Sequence, residues 1–284
     1  MSNKYFVYLC KMFNWKSVYC LIVGAIALLS VSCGEYSKIL KSGDSDLKYR
    51  KVFEYYEAED YYKALGLIED IKAVYKGTDK YETLCFYNAY CNYKQKEYSL
   101  AGYLFKEYAR MYSNTERTEE AEYMAAYCYY LVSPSVSLEQ TYTELALREL
   151  EAFKEKYPES KFGEKVDEHI KDLNFKLETK AYNNAMLYYK ISDYKAAIVA
   201  FRNVLYDYPA TTYREDIMFT MIKASYSLAT KSVESKKLER HKNTVQAYYA
   251  FVDKFPNSKK IKEAEKYFTN SQNYIESKNG LQKD

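Results

Sequence analysis

The chain has 284 residues, of which 42 are basic and 39 are acidic, so its formal net charge is +3. It contains 36 tyrosines but only 8 glycines and 4 prolines. So few turn-forming residues, together with the lack of an alternating apolar pattern, exclude an all-β fold. The composition therefore predicts an all-α protein whose tyrosine rings lie inside while the hydroxyls reach the edge.

Residues 1–32 have the composition of an export signal. Lys4, Lys11 and Lys16 come before an apolar stretch, and no acidic residue appears until Glu35. The stretch is about 13 residues long, which is too short to cross a hydrocarbon core of ~30 Å at 1.5 Å per residue. A positive segment followed by a short apolar one is typical of a signal peptide.

The end of this segment resembles a bacterial lipobox, the motif in which a cysteine is acylated and becomes the new N-terminus. Val31, Ser32 and Cys33 match the motif, whereas Ser30 stands where Leu is commonest. We therefore expect residues 1–32 to be removed and Cys33 to carry the lipid. The alternatives are an uncleaved anchor or an ordinary signal with a chance cysteine.

The predicted cleavage changes the charge balance. The signal holds three of the 42 basic residues and none of the acidic ones, which leaves 39 against 39. A neutral chain lacks the basic surplus that non-specific attraction to nucleic acid requires, so we expect no nucleic-acid partner. Membrane attachment must come from the lipid, and two or more acyl chains anchor a protein stably.

Three cysteines remain besides the predicted lipid site. Cys85 and Cys91 are six positions apart on one predicted helix, and Cys128 lies further along. Six helical positions correspond to about 9 Å along the axis, beyond the reach of a disulfide. We interpret all three as small buried residues in contacts between helices.

Four stretches carry an alanine followed four residues later by a larger apolar residue, a spacing that places both on one helical face. These pairs are Ala64 and Ile68, Ala101 and Phe105, Ala146 and Leu150, and Ala197 and Phe201. Helical stretches also end at Tyr157-Pro158, Tyr208-Pro209 and Phe255-Pro256. Such landmarks resemble the tetratricopeptide repeat, in which stacked helix pairs bury each other's apolar faces.

The resemblance implies an all-α, right-handed superhelical solenoid of about five helix pairs with a C-terminal capping helix. The predicted units are about 44–76, 79–113, 117–158, 173–209 and 212–256, and the capping helix is about 259–278. We expect residues 33–43 to be a lipidated linker and residues 44–284 to form the repeat domain. The alternative is an irregular helical domain without repeats.

Two segments depart from a regular repeat. Residues 133–137, with the sequence SPSVS, predict a loop inserted between the helices of the third unit. Residues 231–243 are polar and basic, and they either extend a helix or form a loop. The first two units also lack the proline, because Tyr75-Lys76 and Tyr112-Ser113 stand at their ends.

The sequence contains no recognisable catalytic motif. No two glycines lie within six residues of each other, which excludes Gly-rich phosphate turns and the nucleophile elbow of hydrolases. His169 and His241 have no second ligand at metal spacing, and we interpret both as solvated helix residues. Pairs such as Glu119-Glu120 are interpreted as solvated faces. We expect no cofactor, no metal and no enzymatic activity.

One charged segment is a candidate partner site. Between Lys231 and Glu263 nine basic residues stand against four acidic ones, a local excess of five charges. Such an excess can bind an acidic domain or lipid headgroups. We select Lys236, Lys237 and Arg240 as partner-binding candidates. The alternative is a C-terminal cap whose charges serve solubility.

The combination of these features resembles the BamD family, the tetratricopeptide lipoproteins of the outer-membrane β-barrel assembly machinery. The features that carry the resemblance are Cys33, the repeat starts at Asp60, Glu97 and Asp193, and the Tyr-Pro turns already named. The resemblance covers essentially the whole chain after the predicted signal.

This resemblance implies a lipid-anchored position on the periplasmic face of the outer membrane. It implies that the C-terminal repeats bind the periplasmic domains of the barrel-shaped assembly protein, with companion lipoproteins as further partners. It also implies that the N-terminal repeats receive unfolded outer-membrane proteins. The alternatives are another periplasmic tetratricopeptide lipoprotein, acting as an envelope scaffold or in glycan uptake, and an envelope hydrolase with an unrecognised site.

Overall fold

The structure is a computed structural model that describes residues 34–280. This part of the chain forms twelve α-helices and no β-strand. In chain order the helices are α1 (34–41), α2 (Ser45–Glu57), α3 (Tyr61–Ile71), α4 (Asp79–Lys94), α5 (Tyr98–Met111), α6 (Thr118–Val132), α7 (Thr141–Lys156), α8 (Gly163–Lys190), α9 (Tyr194–Asp207), α10 (Arg214–Thr230), α11 (Glu234–Lys254) and α12 (Ile261–Gly280). The predicted all-α class is confirmed.

The chain divides into two compact units. We call residues up to Val132, with Glu155–Tyr157, the N-terminal unit, and Ser133–Lys154, with the residues from Pro158 on, the C-terminal unit. In each unit, helices that follow one another in the chain pack against each other, from α2 to α6 in the first and from α8 to α12 in the second. Packing between chain neighbours is typical of helical repeats. The single repeat domain expected for residues 44–284 stays a prediction.

The alanine landmarks lie at the centre of these contacts. All eight residues of the four predicted pairs have no exposed surface. Alanine lets two helix backbones approach closely, and the larger residue one turn later fills the space beside it. The helical register predicted from the sequence is therefore confirmed in all four predicted repeats that carry such a pair.

Three of the helix pairs share one turn. Glu59, Lys96 and Ser192 each have a positive φ, of 59°, 67° and 66° respectively. Each lies between the C-cap residue of the first helix and the N-cap residue of the second, and the backbone hydrogen bonds are the same in all three. Left-handed backbone at this position closes the first helix, a role that glycine fills most often.

The acidic residues at the predicted repeat starts begin the second helix of the pair. Asp60 accepts a hydrogen bond from the backbone N–H of Lys63 at 3.3 Å, and Asp193 accepts one from Ala196 at 3.1 Å. A carboxylate here satisfies one of the unpaired N–H groups at the start of a helix. Glu97 occupies the same position without a side-chain hydrogen bond.

Proline is not required for the helix ends. Tyr208 and Phe255, which precede prolines, end α9 and α11 with φ near −123° and −131°. Tyr112, which precedes Ser113, ends α5 with φ −124°. The second predicted repeat therefore forms the same helix end as the fourth and fifth repeats. The first repeat differs, since α3 ends at Ile71 and is followed by a longer turn through Gly77, where φ is +86°.

One helix start differs from the sequence prediction, and the structure defines the two irregular segments. α8 begins at Gly163, about ten residues before the predicted start, because Val166 and Leu173 continue the buried face and have no exposed surface. The basic segment from residue 231 extends a helix, since α11 begins at Glu234. The predicted inserted loop covers residues 133–140 between α6 and α7.

Part of the predicted linker is helical. α1 places Ile39 in the apolar cluster formed by α2 and α3, where it is 7% exposed. The hydroxyl of Tyr36 lies over Gly66 of α3, in the space that a Cβ would occupy. Glycine at position 66 thus lets α1 dock on the N-terminal unit. Cys33 and the rest of residues 1–33 lie outside the described residues.

No helix in residues 34–280 is both long enough and apolar enough to cross a membrane.

Candidate functional site

The three predicted partner-binding residues lie in the first two turns of α11, but their surroundings differ. Lys236 is exposed, whereas Lys237 and Arg240 are half-buried. Lys236 and Arg240 are four residues apart and share one face of the helix.

Lys237 belongs to a cluster that joins the start of α11 to the end of α12. Its Nζ lies 3.1 Å from Oε2 of Glu234. The other carboxylate oxygen, Oε1, accepts from Lys278 and from the Tyr274 hydroxyl, each at 2.7 Å. These donors, Lys278 first and then Tyr274 and Lys237, lower the pKa of Glu234 to about 2. Much of the Lys237 charge is therefore compensated within the protein.

Arg240 is held by the end of the preceding helix. Its Nη1 donates a hydrogen bond to the Ser232 hydroxyl, and that hydroxyl donates to the carbonyl of Leu228 near the end of α10. No carboxylate of the described residues pairs with Arg240. The bond to Ser232 directs the guanidinium toward the space between α9 and α11, where it lines a groove.

Two further basic residues of the segment have partners within the protein. Lys260 pairs with Asp216 of α10. Lys231 lies 4.9 Å from the ring centroid of Tyr194 and donates to its hydroxyl at 3.3 Å. Part of the excess of five charges counted along the sequence is thus engaged in contacts within the protein.

The groove beside Arg240 is formed by α9, α10 and α11 and has a volume of about 420 Å³. Ile198, Met221 and Leu228 contribute apolar surface to it. Lys195 and Arg202 of α9 stand at its edge together with Arg240. Sequence reasoning missed Lys195 and Arg202 because it used α9 only for its buried face.

The outward face of α9 continues beyond the groove to Tyr206, which is 86% exposed. Val199, which lines the groove, is 51% exposed. With Lys195 and Arg202 they follow the spacing 195, 199, 202, 206, which places all four on one helical face. The face combines apolar and cationic side chains.

His241 is buried, contrary to the prediction of a solvated residue. It is 3% exposed, its Nδ1 lies 3.1 Å from the Ser271 hydroxyl, and its ring stacks on Tyr274 at 4.4 Å. The prediction was wrong because α12 covers this part of α11. A signal was present, since positions 241, 244, 248 and 251 continue the buried helical face that ends at Phe251.

The cysteines have the packing role expected of them. Cys85, Cys91 and Cys128 are buried and unpaired. Burial raises the pKa of Cys91 and of Cys128 to about 12, so these thiols stay protonated at neutral pH. Within residues 34–280 no group of three or more His, Cys, Asp or Glu side chains is placed to hold a metal ion.

A family model described as YfiO, outer membrane lipoprotein, matches residues 42–240. The chain belongs to this family. The match runs from the end of α1 to Arg240 in α11, which is more than half of the 284 residues. Membership places this YfiO-family chain among outer membrane lipoproteins, the general class that the sequence resemblance implies.

No curated protein sequence matches the YfiO-family chain. Among solved structures it is similar to the apo form of RapI, with 13% sequence identity, 99% coverage of each chain and a TM-score of 0.34.

Proposed function

We propose that this protein is a non-enzymatic scaffold of the machinery that assembles β-barrel proteins and inserts them into the outer membrane. The observation that carries the proposal is the match of residues 42–240 to a family of outer membrane lipoproteins. Consecutively packed helix pairs support it, because such pairs present extended surfaces suited to binding other proteins. The BamD resemblance supplies the specific machinery.

The first part of the proposal is a lipid at Cys33. This cysteine directly precedes α1, and Tyr36 docks α1 on the N-terminal unit. The lipid would therefore hold that unit close to the membrane. Cys33→Ala should abolish labelling by a metabolically supplied fatty-acid analogue, while Cys20→Ala in the predicted signal should not. Equal labelling of wild type and Cys33→Ala would refute the assignment.

The second part is binding of the C-terminal unit to acidic periplasmic domains of the barrel assembly protein. Lys236 and Arg240 support it, because neither has a carboxylate partner among the described residues. Reversal of Lys236, Lys237 and Arg240 to Glu should slow association, and the effect should shrink at high salt as screening increases. Binding of the purified domains at low and high salt measures this.

Single substitutions make that experiment sharper. Lys236→Glu alters an exposed side chain, so binding should weaken with little change in the melting temperature. Lys237→Glu also breaks the contact with Glu234, so a loss of stability is expected there. If Lys236→Glu and Arg240→Glu both bind as wild type does at both salt concentrations, these residues serve solubility alone.

The third part concerns unfolded outer-membrane proteins, proposed to bind the N-terminal unit. Tyr62 and Tyr103 are 77% and 56% exposed there, and Leu100 is 48% exposed. Exposed aromatic and aliphatic side chains can bind the apolar residues of an unfolded chain. Photo-crosslinking from position 103 to a denatured barrel protein tests this, with an exposed polar position such as Lys96 as control.

Co-purification tests the proposed function as a whole. The lipid-anchored chain is isolated from detergent-solubilised outer membrane, and its partners are identified by mass spectrometry. The barrel assembly protein and companion lipoproteins should co-purify. Recovery of a glycan importer or another envelope complex without the assembly protein would replace the proposal with one of the alternative lipoprotein functions.

A further inference from the structure

The groove between α9, α10 and α11 is an open surface of the C-terminal unit. It is lined from three helices, and its edge carries the cations Lys195, Arg202 and Arg240. Carboxylates are absent from its lining, which otherwise consists of apolar and uncharged polar side chains. A ligand in this groove would meet positive charge beside an apolar surface.

Cations elsewhere in the same unit do find carboxylates. Lys154 lies 2.5 Å from Asp167, and Lys237 lies 3.1 Å from Glu234. Arg202 has no ion pair or hydrogen bond among the described residues. It lies on the same exposed helix face as Lys195. Two nearby cations raise the local positive potential, so an anionic group there gains attraction from both.

Asp193, an acidic residue close to Lys195 in the sequence, is engaged elsewhere. It accepts a hydrogen bond from the Ala196 N–H at 3.1 Å and lines an adjoining groove to which Lys195 also contributes. This bond holds the Asp193 carboxylate at the start of the helix. The positive charge at the groove's edge is therefore not cancelled by the groove's own lining.

We propose that this groove binds an acidic peptide segment that also carries apolar side chains. Charge complementarity selects the acidic character, and Ile198, Met221 and Leu228 select the apolar one. The site extends to α9 and so reaches beyond the Lys236 and Arg240 surface proposed for the assembly protein. It does not require that protein to be the partner.

The length of the groove along α9 suits a short extended segment. The lining residues on this helix run from Lys195 to Arg202, which is roughly 10 Å at 1.5 Å per residue. An extended chain at ~3.3 Å per residue covers this distance with about three residues. Two carboxylates within such a segment can then reach Lys195 and Arg202.

The experiment uses a fluorescein-labelled peptide, Gly-Glu-Leu-Glu-Leu-Glu-Gly, and the full-length lipid-anchored chain in neutral detergent. Fluorescence polarisation should show binding that weakens with added salt. The same peptide with Gln in place of each Glu should bind at least tenfold more weakly. Equal binding of the two peptides would show that charge complementarity does not contribute to binding, and it would overturn the proposal.

Substitutions locate the site. Arg202→Glu and Lys195→Glu should each weaken binding of the acidic peptide at least fivefold. Arg148→Glu, an exposed position of α7 outside the groove, changes the net charge equally and should stay within twofold of wild type. Circular dichroism melts should be unchanged, since all three side chains are exposed. Loss of binding in Arg148→Glu equal to that in Arg202→Glu contradicts the site.

Two further outcomes distinguish this site from other possibilities. The protein is also transferred from neutral detergent to vesicles that contain phosphatidylglycerol, and wild type and Arg202→Glu should bind these vesicles equally. If Arg202→Glu binds the vesicles more weakly and the peptide does not bind the wild type, the groove recognises lipid and the peptide proposal is wrong. If the peptide binds as expected while the assembly protein fails to co-purify, the groove assignment stands and the proposed function falls.

Discussion

The buried polar pairs of the N-terminal unit and the groove of the C-terminal unit use their charged and hydroxyl groups differently. In the N-terminal unit, Lys48 is 6% exposed and lies 2.5 Å from Asp70, and the buried Tyr108 donates to Glu82 at 2.6 Å. Around the groove of the C-terminal unit, Lys195 and Arg202 have no such partner. Polar groups join helices in the first region, whereas these cations of the groove stay unpaired in the second.

This difference predicts how each region responds to mutation. A buried charge that loses its partner destabilises the fold, because the remaining group cannot recover its hydration. An exposed charge contributes only about 0–1 kcal/mol to stability, so its reversal changes binding without unfolding the protein. Charge substitutions should therefore report stability at the buried pairs of the N-terminal unit and recognition at the groove of the C-terminal unit.

The largest expected effect comes from removing the partner of Lys48. Asp70→Ala should cost about 2–4 kcal/mol, because it leaves an ammonium group buried without a counter-charge. Asp216→Ala is the matched control, since it removes the partner of Lys260 in a pair whose side chains are 32% and 52% exposed, and it should cost less than about 1 kcal/mol. Urea denaturation measures both. Equal losses would mean that the two units do not differ in this respect.

Core packing should be the same in both units, which limits the comparison to polar groups. Ala101→Leu and Ala197→Leu insert three heavy atoms where two helices touch, and each should cost about 1–3 kcal/mol by overpacking. Ala250→Leu, at an exposed position of α11, should be close to neutral. Thermal melts that show no loss for Ala101→Leu or Ala197→Leu would contradict the shared repeat register.

These landmarks could be predicted from the sequence because they depend on neighbours within one helix. Ala197 and Phe201 are one turn apart, and both follow from a single local pattern. Arg202 and Arg240 come together only because α9 and α11 lie on either side of α10. A pattern along one helix shows which residues face outward, but it does not show which outward residues of two helices share a groove.

His241 gives the same lesson from the buried side. A polar residue in a strongly basic segment is usually exposed, and the helical spacing that marks His241 as buried is outweighed by this composition until its contacts with Tyr226 of α10 and with α12 are seen. The turns at Glu59, Lys96 and Ser192 were also not predicted, because a non-glycine residue in left-handed backbone has no sequence signature. Glycine would have marked these positions.

A smaller effect is expected from acid in the C-terminal unit. Burial lowers the pKa of His241 below its ordinary value of 6.5, and the Lys237 ammonium lowers it further. The unfolded chain then binds a proton more readily than the folded one, so stability is complete above pH ~6.5 and declines as pH falls below it.

The measurement is urea denaturation between pH 7.5 and 5 for wild type and His241→Gln. His169 also has a pKa lowered by burial, so the wild-type slope contains both histidines. His241→Gln should be less stable at pH 7.5 but should lose less stability on acidification. Identical slopes for the two proteins would show that His241 stays unprotonated or is already exposed in solution.

The smallest effect concerns the turn that both units share. Lys96 lies in left-handed backbone with φ 67°, where a Cβ costs about 1–2 kcal/mol. Glycine removes this cost but loses ~0.5–1 kcal/mol through the greater freedom of the unfolded chain, so Lys96→Gly should stabilise by roughly 0.5 kcal/mol. Lys96→Ala keeps the Cβ and should give no gain, which separates backbone conformation from removal of the charge.

Ser192 occupies the equivalent turn in the C-terminal unit, but its hydroxyl accepts from Tyr194 at 3.2 Å, so Ser192→Gly should gain less. Denaturation curves that rank Lys96→Gly no higher than Lys96→Ala would mean that the turn relaxes out of left-handed backbone in solution, and that the two units do not share it.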